Sequence, residues 1–134
     1  MEIGLDVVEI RRMARLARRG AFLRRVFTPA EVRYCRSKAR APQHFAARFA
    51  AKEAVWKALG RAGLALNSIE VVRGPGGRPE PRVGGRRVPG LSLSLTHADL
   101  YAAAVAVFAP PRASSRRSEA RKKAAKSRSR RGRP

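Results

Sequence analysis

Glu53 and Lys57 stand four residues apart in Phe49-Ala50-Ala51-Lys52-Glu53-Ala54-Val55-Trp56-Lys57-Ala58-Leu59-Gly60. On a helix, both charged heads then leave on nearly the same side. Phe45, Phe49 and Trp56 fall within a narrow arc of the same 3.6-residue wheel and read as an apolar stripe, with Glu53 about 40° from its centre. An acid and a base at the edge of a buried stripe carry a desolvation cost that a merely structural helix would avoid. The same spacing also fits an ordinary surface Glu–Lys pair, worth roughly 0.2–0.5 kcal/mol.

Asp6 is the second informative acid. Glu2 to Val7 alternates, with Ile3, Leu5 and Val7 facing one way and Gly4 and Asp6 the other, the pattern of a short first strand. At the end of that strand Asp6 could meet Glu53 across the core. Two converging carboxylates repel unless a cation neutralises them. Oxygen-only ligands suit a hard ion, Mg²⁺ in particular, which keeps several waters and is usually shared with substrate phosphates. Lys57 would face the same phosphates. Asp6-Val7-Val8-Glu9 also fits a helix N-cap with Glu at the third helical position, a purely structural use of the same acid.

His97 closes a strand whose solvent-facing residues are Ser92, Ser94 and Thr96, where it could donate to a phosphate or a ribose; a lone histidine can equally be structural. Cys35 and His44 have no partner at useful spacing and read as non-functional. Gly74-Pro75-Gly76-Gly77 lacks the following helix and Lys-Ser/Thr of a phosphate-binding glycine loop.

The elements that must position these groups follow from periodicity and punctuation. After the first strand a helix is expected to about Arg19, ended by Gly20. Thr28-Pro29-Ala30-Glu31 has the cap, first-turn proline and returning glutamate of a helix start, and a short helix follows towards Lys38. Pro42 separates it from the long helix carrying Glu53, which Gly60 terminates. Residues 68–72 and 81–83 are strand candidates around a Gly/Pro turn. Leu91 to Thr96 and Tyr101 to Phe108 read as a hairpin broken at His97-Ala98-Asp99. The mixed order of helices and strands predicts an α+β fold.

At 134 residues and 44% hydrophobic, the chain has material for one domain with a modest core. No apolar run approaches the ~20 residues of a membrane span, and Glu2 and Asp6 sit where an export signal would carry basic residues. A single cysteine excludes an intrachain disulfide and any cysteine-based metal site. These features predict a cytoplasmic protein. The net charge of +22 is unevenly spread: residues 110–134 hold 11 Lys/Arg against Glu119 alone. This tail is too poor in bulky apolar residues to form a core and is expected to be disordered, with the folded domain at 1–109. A strongly basic surface attracts polyanions of any kind, and the tail could bind RNA or DNA non-specifically by counterion release. The charge and the Ser/Arg-rich tail make a nucleic-acid-binding protein the rival reading, against which the tail offers no aromatic for base stacking and no reading motif.

Taken together, the motifs resemble the holo-[acyl-carrier-protein] synthases, the short bacterial 4′-phosphopantetheinyl transferases. Gly4-Leu5-Asp6-Val7-Val8-Glu9-Ile10-Arg11-Arg12 is similar to their N-terminal signature, and Arg48-Phe49 through Leu59-Gly60 to their most specific motif. Arg25-Val26-Phe27-Thr28-Pro29-Ala30-Glu31, Gly77-Arg78-Pro79, and Leu93 to His97 with Tyr101 to Ala104 match in order and approximate spacing. The resemblance covers about residues 1–108 and leaves the tail unmatched. It departs after Gly60, where the family continues with a Thr-Gly-containing loop near the cofactor and this chain has a shorter Arg61-Ala62-Gly63.

The resemblance implies a phosphopantetheinyl-transferase-like fold, with antiparallel sheet on a long central helix. It implies transfer of the 4′-phosphopantetheine arm of coenzyme A to a serine of apo acyl carrier protein in fatty acid biosynthesis, releasing adenosine 3′,5′-bisphosphate. Asp6 and Glu53 would bind Mg²⁺, and Lys57 would stabilise the phosphates. Glu53, or a metal-bound water that it orients, would take the serine proton. Arg48 and His97 would contact the cofactor, His97 in the site of a neighbouring subunit of a homotrimer. Arg12 and the arginine-rich helix after it would face the carrier protein, which is acidic.

Overall fold

In the computed structural model, residues 1–113 and 123–128 are described. β1 (Glu2–Glu9) leads into α1 (Ile10–Leu16), α2 (Gly20–Val26), α3 (Pro29–Arg36) and the 19-residue α4 (Ala41–Leu59). β2 (Ile69–Arg73), β3 (Pro79–Val83) and the two-residue β4 (Arg86–Arg87) follow, then β5 (Leu91–His97) and β6 (Tyr101–Phe108). The fold is α+β. Two three-stranded antiparallel sheets, ordered β1-β6-β5 and β2-β3-β4, flank α4.

Helix α4 is long because nothing in residues 43–59 breaks it. Pro42 sits in its first turn, where its missing N–H costs nothing, and Gly60 closes it in the left-handed conformation at φ 57°. Its alanines let other elements approach closely. Ala46, Ala50, Ala54 and Ala58 are buried together with Ala47, Ala51 and Val55, so the helix is enclosed over most of its circumference. The expected narrow stripe of Phe45, Phe49 and Trp56 is therefore corrected: Trp56 is 42% exposed, and small residues rather than aromatics make the seat. Strand β1 lies directly on that seat. A Cβ added at Gly4 would stand 1.8 Å from the Ala54 carbonyl oxygen, so only glycine permits this approach.

Glycine and alanine contact on the inner side turns β1 over relative to ordinary expectation. Gly4 and Val8 are buried and Asp6 half-buried, while Ile3, Leu5 and Val7 are 60%, 61% and 60% exposed. Asp6 pairs with Ala104 of β6 in mid-strand, so it is not a helix N-cap. α1 ends at Leu16 instead of Arg19, and Gly20, read from sequence as a stop, opens a second helix that the periodicity did not reveal.

The start of α3 is as expected: Glu31 N donates to Thr28 Oγ1 at 3.2 Å, and Thr28 N donates to Glu31 Oε1 at 3.0 Å. Glu31 does more than close this box. It is 2% exposed and accepts from Lys52 Nζ, itself 0% exposed, and through Oε2 from Val71 N at 3.1 Å. Lys52 Nζ also donates to the Ile69 carbonyl. One buried ion pair thus ties α3, α4 and β2. Within the expected tail, residues 123–128 form a short exposed helical stretch; residues 114–122 and 129–134 lie outside the described residues.

Candidate active site

The close seating of β1 on α4 brings Asp6 beside the last turns of the helix. Lys57 Nζ donates to Asp6 Oδ1 at 3.1 Å and to the Leu5 carbonyl at 2.9 Å. Asp6 and Glu53 both line a cavity of about 460 Å³, together with Glu9, Arg12, Phe49 and Tyr101. Glu53 has no hydrogen-bond donor among the described residues. Burial pushes its carboxyl above the ordinary carboxylate range, the Asp6 charge adds to the rise, and Lys57 opposes it. The cavity lining therefore carries Asp6 and Glu53, a third acid in Glu9, and Arg12, and the Lys57 ammonium is held against Asp6.

This donor set fits a hard divalent cation better than any other metal. Both groups are carboxylates, no thiol or imidazole joins them, and no cluster of three or more His/Cys/Asp/Glu exists among the described residues. An ion held by two protein oxygens must complete its shell with water and substrate oxygens, which is how Mg²⁺ is commonly bound. Burial first, and then the Asp6 charge, disfavour the ionised form of Glu53, and such a cation would offset both.

Arg48 and His97 do not reach this cavity within one chain. Arg48 leaves α4 on another side, where its guanidinium lies 3.8 Å over the Tyr34 ring and its buried Nε has no hydrogen-bond partner among the described residues. Lys38 Nζ covers the same ring at 4.9 Å and His44 meets it edge-on at 5.9 Å. His97 hydrogen-bonds to Gln43, ten residues before Glu53 on α4 and so about 15 Å away along the axis. Burial depresses the His44 pKa, with further lowering from Arg48, Lys38 and His97. These four basic groups thus share one neighbourhood.

Sequence reasoning missed Lys38 and set His44 aside. The four-residue spacing of His44 and Arg48 was the one available signal, and it gains meaning only when α3 packs on α4. The loop after Gly60 is pinned to the helix end, since Trp56 Nε1 donates to the Leu64 carbonyl at 3.0 Å.

Residues 2–106 match the family described as the 4′-phosphopantetheinyl transferase superfamily. The chain belongs to this superfamily. It is 45% identical over 121 residues to a holo-[acyl-carrier-protein] synthase of Koribacter versatilis, an alignment covering 78% of this chain and 94% of that protein. It is 46% identical over 119 residues to the Moorella thermoacetica enzyme of the same name, covering 80% and 92%. Among solved structures, the holo-(acyl-carrier-protein) synthase of Bacillus anthracis in complex with CoA (3′,5′-ADP) superposes with a TM-score of 0.70 at 27% identity, covering 82% of this chain and 96% of that one. The Helicobacter pylori holo-[acyl-carrier-protein] synthase in complex with coenzyme A gives 0.68 at 29% identity, covering 80% and 99%. The superfamily match ends before the basic tail.

Proposed function

We propose that this member of the superfamily is a cytoplasmic, Mg²⁺-dependent holo-[acyl-carrier-protein] synthase of fatty acid biosynthesis. It moves the 4′-phosphopantetheine arm of coenzyme A to a serine of apo acyl carrier protein. The observation that carries this reading is the convergence of Asp6 and Glu53 on one cavity, with Lys57 held against Asp6, in a chain of this family. Asp6 and Glu53 would hold Mg²⁺, which when bound supplies charge neutralisation at the coenzyme's diphosphate.

The chain's own residues do the remainder. The serine Oγ forms a bond to the phosphorus bearing pantetheine, and the bond from that phosphorus to the bridging oxygen breaks. The bridging oxygen leaves with adenosine 3′,5′-bisphosphate. Glu53, a carboxylate on the cavity wall, takes the serine proton. Lys57, already held by Asp6 and the Leu5 carbonyl, faces the charge that develops on the leaving oxygen. Arg12, at the cavity rim, meets the acidic carrier protein.

The second half of the site comes from another subunit. Ile3, Leu5 and Val7 pair across the sheet with Val107, Val105 and Ala103, giving β1 and β6 an apolar outer face that Ser92, Ser94 and Thr96 of β5 border. Such a face favours burial against further copies of the chain, and a homotrimer would bring the Arg48–His97 region of one subunit to the Asp6–Glu53 cavity of the next. The basic cluster supports this use, because no acid pairs with it among the described residues and a phosphorylated nucleotide would supply the negative charge.

Intact-mass spectrometry of apo acyl carrier protein incubated with this protein, coenzyme A and Mg²⁺ tests the reading. A gain of one phosphopantetheine, lost with EDTA, is expected; no gain with several carriers would overturn it. Mixing the inactive Glu53→Ala and His97→Ala proteins under subunit exchange should restore part of the activity, since some shared sites then regain both groups.

A further inference from the structure

On the far side of α2 from the Asp6–Glu53 cavity lies a second hollow, of about 580 Å³, between α2 and α3. Its floor is apolar, built from Leu23, Phe27 and Val32, and its rim carries Arg24, Arg33 and Arg36. All three arginines are exposed, and none has an acidic partner among the described residues. An apolar trough edged by unpaired cations on a monomer's surface matches an amphipathic helix whose polar flanks are acidic.

The hollow is mechanically joined to the catalytic cavity. Phe22 of α2 packs on Phe27 at 6.3 Å and on Phe49 at 6.0 Å; Phe27 floors the hollow and Phe49 lines the cavity. Two ring-to-ring steps, of 6.0 and 6.3 Å, therefore lead from Phe49 at the cavity to Phe27 under the hollow. Packed helices in a helical partner lie roughly 8–10 Å apart as a rule, a span of the same order. A partner presenting one helix at the cavity would bring its neighbour to the trough.

We infer that the α2–α3 trough is a second docking surface for the acidic carrier protein, receiving the apolar face of a helix other than the one that bears the serine. The inference rests on the transfer to a carrier protein proposed above. Arg24, Arg33 and Arg36 pair with carboxylates flanking that helix, so this surface sets carrier affinity and leaves the reacting atoms untouched.

Steady-state transfer with the charge-reversed triple variant Arg24→Glu, Arg33→Glu and Arg36→Glu tests it, beside the charge-preserving triple lysine variant. Charge reversal should raise KM for apo carrier about tenfold and flatten the salt dependence of kcat/KM, with kcat and KM for coenzyme A unchanged. The lysine variant should stay within about threefold of the parent protein. Both substitutions are at exposed positions, and an unchanged melting temperature verifies the fold. Anisotropy titration of fluorescently labelled apo carrier, without coenzyme A, reads the surface independently of turnover. Equal carrier affinity for the parent and charge-reversed proteins overturns the inference. Absence of transfer by the parent protein with an intact affinity difference overturns the proposed reaction instead.

Discussion

Lys52 and Lys57 belong to the same helix and each meets a carboxylate from another element, yet they end in opposite circumstances. Lys52 is sealed: Glu31 and the Ile69 carbonyl take its hydrogens, and the Glu31 oxygens are filled by Lys52, Thr28 N and Val71 N. Burial depresses the Lys52 pKa, partly offset by Glu31. Lys57 is open, its side chain 44% exposed against an Asp6 at 18%, with Glu53 beside them and unpaired. The difference is one of saturation. A charge pair whose valences are all used inside the protein holds elements together, whereas one that leaves a carboxylate facing a cavity can still bind and react.

That contrast can be broken experimentally. The largest expected effect is on transfer: Asp6→Ala or Glu53→Ala should lower kcat/KM by about 10³-fold or more, with circular dichroism and melting temperature preserved. Unfolding of both variants would assign these acids to the sealed class. Next, Lys52→Met or Glu31→Gln alone should cost about 3–5 kcal/mol in urea unfolding, because each leaves a buried polar partner stranded. The double variant should recover part of that loss, since no unpaired full charge then remains inside.

Lys57→Ala should reduce kcat about 10²-fold while changing stability by less than about 1 kcal/mol, the range of a partly exposed pair. A large stability loss there would erase the distinction. The smallest effect concerns Glu53 in metal-free protein. Its folded-state pKa is raised, so its contribution to stability is complete below the unfolded-state pKa and is lost as pH rises through the folded one. Glu53→Gln should therefore melt slightly higher than the parent at about pH 7–8, with the advantage gone near pH 4. Added Mg²⁺ should raise the melting temperature of the parent and not of the Gln variant.

Much of this arrangement was legible in the chain. The Glu53–Lys57 spacing, the Thr28–Glu31 capping box, the Gly60 stop and the hairpin around residues 97–99 are local signals, and the structure contains each of them. The failures share a cause in small residues. Gly20 can end a helix or begin one, and local sequence does not choose. An alanine-rich helix has no strong face, so periodicity could not tell that Lys52 points inward and Trp56 outward. Asp6 fitted a cap as well as a strand until the Gly4–Ala54 approach fixed β1 on α4. The cluster of Lys38, His44, Arg48 and His97 is assembled by packing between elements remote in sequence.

The sealed pair has one more consequence. Strand β2 hydrogen-bonds to β3 through the backbone of alternate residues, with Gly84 N reaching Ser68 O at the end of the ladder. The Ile69 carbonyl and the Val71 amide therefore point the other way, along the free side of the sheet. Those are the two groups that Lys52 and Glu31 occupy. Two side chains stand in for a missing fourth strand, and at these positions no foreign strand can dock to seed an intermolecular sheet.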